Sequence, residues 1–183
     1  MGSVKSYHPV KLIAAVTVQA EEQWPELQAA LERLFAPLDM TMDWYDFHHT
    51  DYYTAEMGPS LKKRMISFQG LIDAERLPDI KLATNRLEES VADGGKRRVN
   101  IDPGYICAPR LVLATTKDYS HRVYLGKGIF ADLHLLFLKG HFQPQPWTYP
   151  DYREPAVLDF FERVREQYMT ELGLAASAPA DKD

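Results

Sequence analysis

With 183 residues, 45% of them hydrophobic and 26% charged, the chain has the makeup of an ordinary globular protein and is long enough to bury roughly 70% of its unfolded surface. A single cysteine, Cys107, excludes an internal disulfide and a zinc ribbon, and no apolar run reaches the length of a membrane span. The net charge of -5 speaks against a protein that coats nucleic acid, since such binding rests on neutralising phosphates.

The first predicted element is a strand over residues 11–18, an apolar, β-branched run that belongs at the centre of a sheet. Residues 21–35 follow as a helix, with Trp24, Leu27, Leu31, Leu34 and Phe35 on one face and acidic residues in the first turn, where the macrodipole favours them. A second strand over 40–47 runs into the polar, aromatic stretch 48–53. The turn 56–59 leads to a third strand over 63–72 and then to a helix over 75–91, with Pro78 in its first turn. A fourth strand spans 98–101.

The order strand, helix, strand, strand, helix, strand is that of a ferredoxin-like βαββαβ core. After a turn at Asp102-Pro103-Gly104, strand-like runs at 106–116, 121–125 and 129–138 with short connections predict an antiparallel β-meander. The turn at Lys139-Gly140 starts one further short strand, and residues 143–151, with three prolines, are expected to be irregular. Val157, Phe160, Phe161, Val164 and Tyr168 recur at helical spacing and predict a C-terminal amphipathic helix. The expected fold class is therefore α+β, one domain over residues 1–173 with two or three helices on one face of the sheet, followed by a disordered tail at 174–183.

Thr50 to Tyr53 with Glu56 to Gly58, Ser67-Phe68, Thr84-Asn85, Arg98 to Tyr105, Leu113 to Asp118, Ser120 to Leu125 and Trp147 to Tyr152 form a set of distinctive segments. Together they resemble a prokaryotic family catalogued as domain of unknown function 4416. The resemblance covers most of the chain and implies no reaction. Some members look to be labelled GTP-binding, and this sequence lends that little support: it has no G-x-x-x-x-G-K-S/T loop, and Thr116-Lys117-Asp118 lacks the extra residue of a guanine-reading T-K-x-D.

Candidate chemistry gathers in three stretches. In the turn 117–122, His121 is a base candidate beside the cations of Lys117 and Arg122, with Asp118 in the same turn; the plainer reading is a solvated hairpin tip. Arg98, Asn100 and Asp102 alternate and so share one strand face, where they await either a ligand or ordinary partners, Asp102 then capping its own turn. His48, His49 and Asp51, near Glu56, are metal-ligand candidates by residue type, although no spacing matches a known metal motif. Tyr53, Tyr105 and Tyr124 offer flat faces beside these turns, and Thr50 a hydroxyl.

The functional expectation is a cytoplasmic, ligand-binding protein that takes a small anionic molecule, a nucleotide or phosphorylated metabolite, with acid/base chemistry on it centred on His121, Lys117 and Asp118. Arg98, Asn100, Asp102, Arg122, Tyr105, Tyr124, Thr50, Tyr53 and Glu56 are the expected ligand contacts, in one shared polar hollow. The sequence leaves any cofactor open, and no membrane partner is expected, the loose myristoylation pattern at Met1 to Ser6 being read as accidental. Two other classes stand beside this one. An RNA-binding or processing module would use the tyrosine, lysine and arginine surface, and a protein-interaction subunit would use the Trp147 to Tyr152 segment as an anchor.

Overall fold

The computed structural model describes residues 7–48 and 54–173. Strand β1 (Lys11–Val18) is followed by helix α1 (Trp24–Leu34), the short strands β2 (Leu38–Thr41) and β3 (Tyr45–Phe47), the single-turn helix α2 (Thr54–Met57) and strand β4 (Leu61–Phe68). Helix α3 (Leu77–Ser90) leads to β5 (Val99–Cys107), β6 (Arg110–Thr115), β7 (Arg122–Gly126), β8 (Ile129–Leu138), β9 (His141–Pro144) and helix α4 (Pro155–Glu171). Among the described residues the nine strands form one antiparallel sheet in the order β2-β4-β1-β5-β6-β8-β7, with β3 added to β4 and β9 to β8. The chain is thus α+β.

β1 is central because every one of its residues is buried, which only a strand covered on both faces allows. Its even-numbered side chains Leu12, Ala14 and Val16 pack with Leu27 and Leu31 of α1 and Ile80 of α3. Its odd-numbered Ile13 and Ala15 pack on the other side with Phe160, Phe161 and Val164 of α4. Two helices, α1 and α3, thus share one face, and α4 covers the other. Helix α4 carries an apolar stripe as full as that of α1, and the uncovered side of the sheet is where that stripe can be buried.

Three further details differ from the sequence reading. The expected strand over 40–47 is two short strands, both paired with β4. Asp102-Pro103-Gly104 is not a turn but the interior of β5, paired with Ala15, Ala14 and Ile13 of β1. The last strands are not a simple meander, because β8 lies between β6 and β7. The short strand after Lys139-Gly140 is present as β9, and the segment before α4 is irregular except for a 3-10 turn at Pro150–Arg153.

Gly104 and Pro103 decide how far β5 and β6 stay paired. A Cβ on Gly104 would stand 2.4 Å from the Val112 carbonyl oxygen and 2.8 Å from a Leu113 methyl, so only glycine lets β6 come this close. Ladder pairing between the two strands covers only Gly104 to Cys107 against Arg110 to Leu113. Ile101 directs both its N–H and its C=O away from β1, and by the two-residue period Pro103 faces the same way, with no N–H to offer. Beyond Gly104 the strands part.

Candidate functional site

The parting of β5 and β6 opens a polar cleft of about 280 Å³, with α3 as one wall. The β5 edge there lacks a strand partner, and α3 supplies one with side chains. Lys81 Nζ donates to the Ile101 carbonyl at 2.8 Å, and the Glu88 carboxylate accepts the Ile101 N–H at 2.7 Å. Lys81, Asn85 and Glu88 are spaced at four and three residues, which stacks them on one side of the helix, and all three line the cleft with Glu89.

From β5 come Asn100 and Asp102, joined by an Asn100 Nδ2 to Asp102 Oδ2 bond of 2.8 Å. Arg97, just before the strand, donates to Asn100 Oδ1 at 3.2 Å and grips both oxygens of Glu56 at 2.9 and 2.7 Å. From the end of β6 come Thr115, Thr116 and Lys117, and from the segment before α4 comes Tyr149.

The two inner carboxyls are driven apart. Burial pushes Glu88 up to about 7, against the pull of the Lys81 charge and the Ile101 N–H. Burial would raise Asp102 as well, but the charges of Lys81 and Lys63 and the Asn100 bond outweigh it and hold this carboxyl below the ordinary carboxylate range. One cleft thus holds a carboxyl poised to gain or lose a proton near neutrality and another that stays ionised.

Behind the rim lies a buried hydrogen-bonded ring. Asp132 accepts from Arg122 Nε at 2.9 Å, and its other oxygen is 3.2 Å from His134 Nδ1. His134 Nε2 accepts the Tyr149 backbone N–H at 3.1 Å, which places the imidazole proton on Nδ1, facing Asp132. Burial holds His134 below its usual range, in keeping with a neutral ring. Burial would lift Asp132, yet His134 and Arg122 together bring it below the usual value. Arg122 also donates to the Lys117 carbonyl at 3.0 Å and to the Tyr149 hydroxyl at 3.1 Å.

Of the residues singled out in the sequence, Asn100, Asp102 and Lys117 meet at the cleft; Glu56 reaches it through Arg97, and Arg122 supports it from behind. His121 turns away from the cleft: its ring stacks on Trp147 at 4.9 Å, and Nε2 lies 3.5 Å from Asp132. Asp118 and Tyr124 are exposed, Tyr124 against Phe130. Tyr105 packs among Cys107 and Val112 and their neighbours, and Arg98 faces a separate depression beside Gln19 and Gln23. His48 is exposed after β3, whereas His49, Thr50, Asp51 and Tyr53 lie outside the described residues. Among the described residues no group of three or more histidine, cysteine or acidic side chains could hold a metal ion. No helix described is long and apolar enough to cross a membrane.

Lys81 and Glu88 were missed in the sequence because charged residues on a helix ordinarily face water. Their signal is positional: with Leu77, Ile80 and Thr84 they occupy the buried stripe of α3. A charge at a core position needs a polar partner, and here it is the bare β5 edge.

An α+β chain built on one antiparallel sheet, with a polar cleft where two of its strands separate, is the class that fold and site define. The model of the family described as Domain of unknown function (DUF4416) matches residues 8–168, and the chain belongs to that family. No curated protein and no solved structure matches the chain.

Proposed function

We propose that the β5/β6 cleft binds a small phosphorylated metabolite and that Glu88 and Asp102 carry acid/base chemistry on it. The observation that carries this reading is the pair of carboxyls in one polar hollow with opposite protonation tendencies. Lys117, Thr115 and Thr116 suit an anionic group, while Asp102, Asn100 and Asn85 suit the hydroxyls of the same molecule. The cleft volume of about 280 Å³ lies just below the usual range of ligand pockets, about 300–1,000 Å³, and so favours a single-ring metabolite over a dinucleotide. A thermal-shift panel of pentose phosphates, nucleoside monophosphates and inorganic phosphate tests it, with Lys117→Ala and Asp102→Asn alongside. A stabilising ligand whose effect is lost in both variants is expected. No shift with any compound, or full shifts in both variants, refutes it.

We also read the first half of the chain as a ferredoxin-like unit to which β6 to β9 and α4 are added. The β2-β4-β1-β5 order, with α1 and α3 packed on one face, supports this.

A further inference from the structure

Tyr149 is held in a way that packing alone does not require. Its backbone N–H is fixed by His134 Nε2 at 3.1 Å and its hydroxyl by Arg122 Nη2 at 3.1 Å. Both of those groups are pinned by opposite oxygens of one buried carboxylate, Asp132, at 3.2 and 2.9 Å. Asp132, His134 and Arg122 are each buried, and Thr148 Oγ1 secures the preceding residue to the His134 carbonyl at 2.5 Å. Four side chains, that of Tyr149 among them, thus close a loop that fixes this tyrosine at its backbone and at its hydroxyl.

Arg122 is a donor with no lone pair to offer, so the Tyr149 oxygen accepts from it and the phenolic proton must point elsewhere. Among the described residues no acceptor takes that proton, and Tyr149 lines the cleft. Burial and the nearby Asp102 charge raise this phenol to about 12, against the pull of Arg122, so it stays protonated at neutral pH. Lys117 lines the cleft as well, and its carbonyl takes another arm of Arg122 at 3.0 Å.

We infer that Tyr149 is a ligand-contacting residue whose O–H donates to an anionic oxygen bound between it and Lys117, with Asp132, His134 and Arg122 as positioning residues. This rests on the cleft being a ligand site and names the side chains that take the anion. The chemical class is an acceptor-only oxygen, as on phosphate or a phosphate monoester. A ligand hydroxyl can accept this bond as well, so it is the Lys117 ammonium at the same place that favours a charged oxygen, against the repulsion of the nearby Asp102.

The deciding measurement is calorimetric titration of inorganic phosphate and of ribose 5-phosphate into wild type, Tyr149→Phe and Arg122→Lys. The Phe variant keeps the ring and is expected to melt within a few degrees of wild type, yet to bind both probes at least about tenfold more weakly, as for a charge-assisted hydrogen bond. Arg122→Lys cannot span Asp132, Lys117 and Tyr149 together, so it is expected to weaken binding in the same direction. Undiminished binding by Tyr149→Phe overturns the inference and leaves the cleft reading standing. Absence of binding by wild type overturns both. If Tyr149→Phe melts far below wild type, a Thr116→Val variant, next to Lys117 in the chain, decides: binding lost with it supports the anion subsite, and binding kept overturns it.

Discussion

Replacing Glu88 by Gln is the sharpest probe of the cleft, because the stability it changes depends on pH with a sign fixed by the structure. The carboxyl is 5% exposed, and its value rises from 4.5 to about 7 on folding. A group raised in the folded state contributes its full stability below its unfolded value and loses it as pH climbs through the folded one. At about 1.4 kcal/mol per pH unit, the loss between the two values is roughly 3 kcal/mol. Gln keeps the shape and an oxygen for the Ile101 N–H but cannot ionise. Relative to wild type, Glu88→Gln is therefore expected to gain roughly 3 kcal/mol between pH 4.5 and 8, with little further change above that. Urea denaturation at half-unit pH steps measures it, provided the slope stays common to both proteins. A stability difference that is flat across this window, or that runs in favour of wild type as pH rises, refutes the assignment of a raised carboxyl to Glu88.

The remaining predictions concern what holds the cleft and its surroundings. Gly104→Ala places a methyl 2.4 Å from the Val112 carbonyl, and since backbone rather than a flexible side chain must give, a loss of about 1–3 kcal/mol or more in urea denaturation is expected. A loss below about 0.5 kcal/mol would mean that β6 is free to move. Lys11 is fully buried between Asp39 at 2.5 Å and Glu171 at 2.6 Å, so Lys11→Met leaves two carboxylates without their shared cation, held only by Ser67 and Gln167, and is expected to cost about 2–4 kcal/mol. A cost under about 1 kcal/mol, the value of an exposed pair, would show the cluster to be solvated.

How much the sequence discloses depends on which physical signal a residue carries. The apolar run of β1 and the spacing of Val157, Phe160, Phe161 and Val164 are periodic, and both become the elements expected of them. Which face of the sheet α4 covers is not periodic information; it is decided by which side α1 and α3 leave bare. Asp102-Pro103-Gly104 has the composition of a turn, and local chemistry favours one. Tertiary pairing with β1 overrides it, and the same residues then serve to end a ladder rather than to reverse the chain. Asn100, Asp102 and Lys117 were legible as site candidates because polar groups on strands and turns stand out. Glu88, Lys81 and the Asp132 ring were not, since each looks unremarkable until its partner, distant in sequence, is known.

The ladder between β5 and β6 ends where Pro103 has no N–H to donate, and the close approach beside that opening is set by the side chain that Gly104 lacks; both are backbone conditions, not properties of the side chains that line the cleft. Aperture and lining are therefore separable. Asn85, Thr116 or Lys117 can be exchanged for other polar residues without zipping the two strands together, whereas a single methyl at position 104 disturbs the mouth whatever the lining is. Changing the lining and keeping the doorway are thus physically independent.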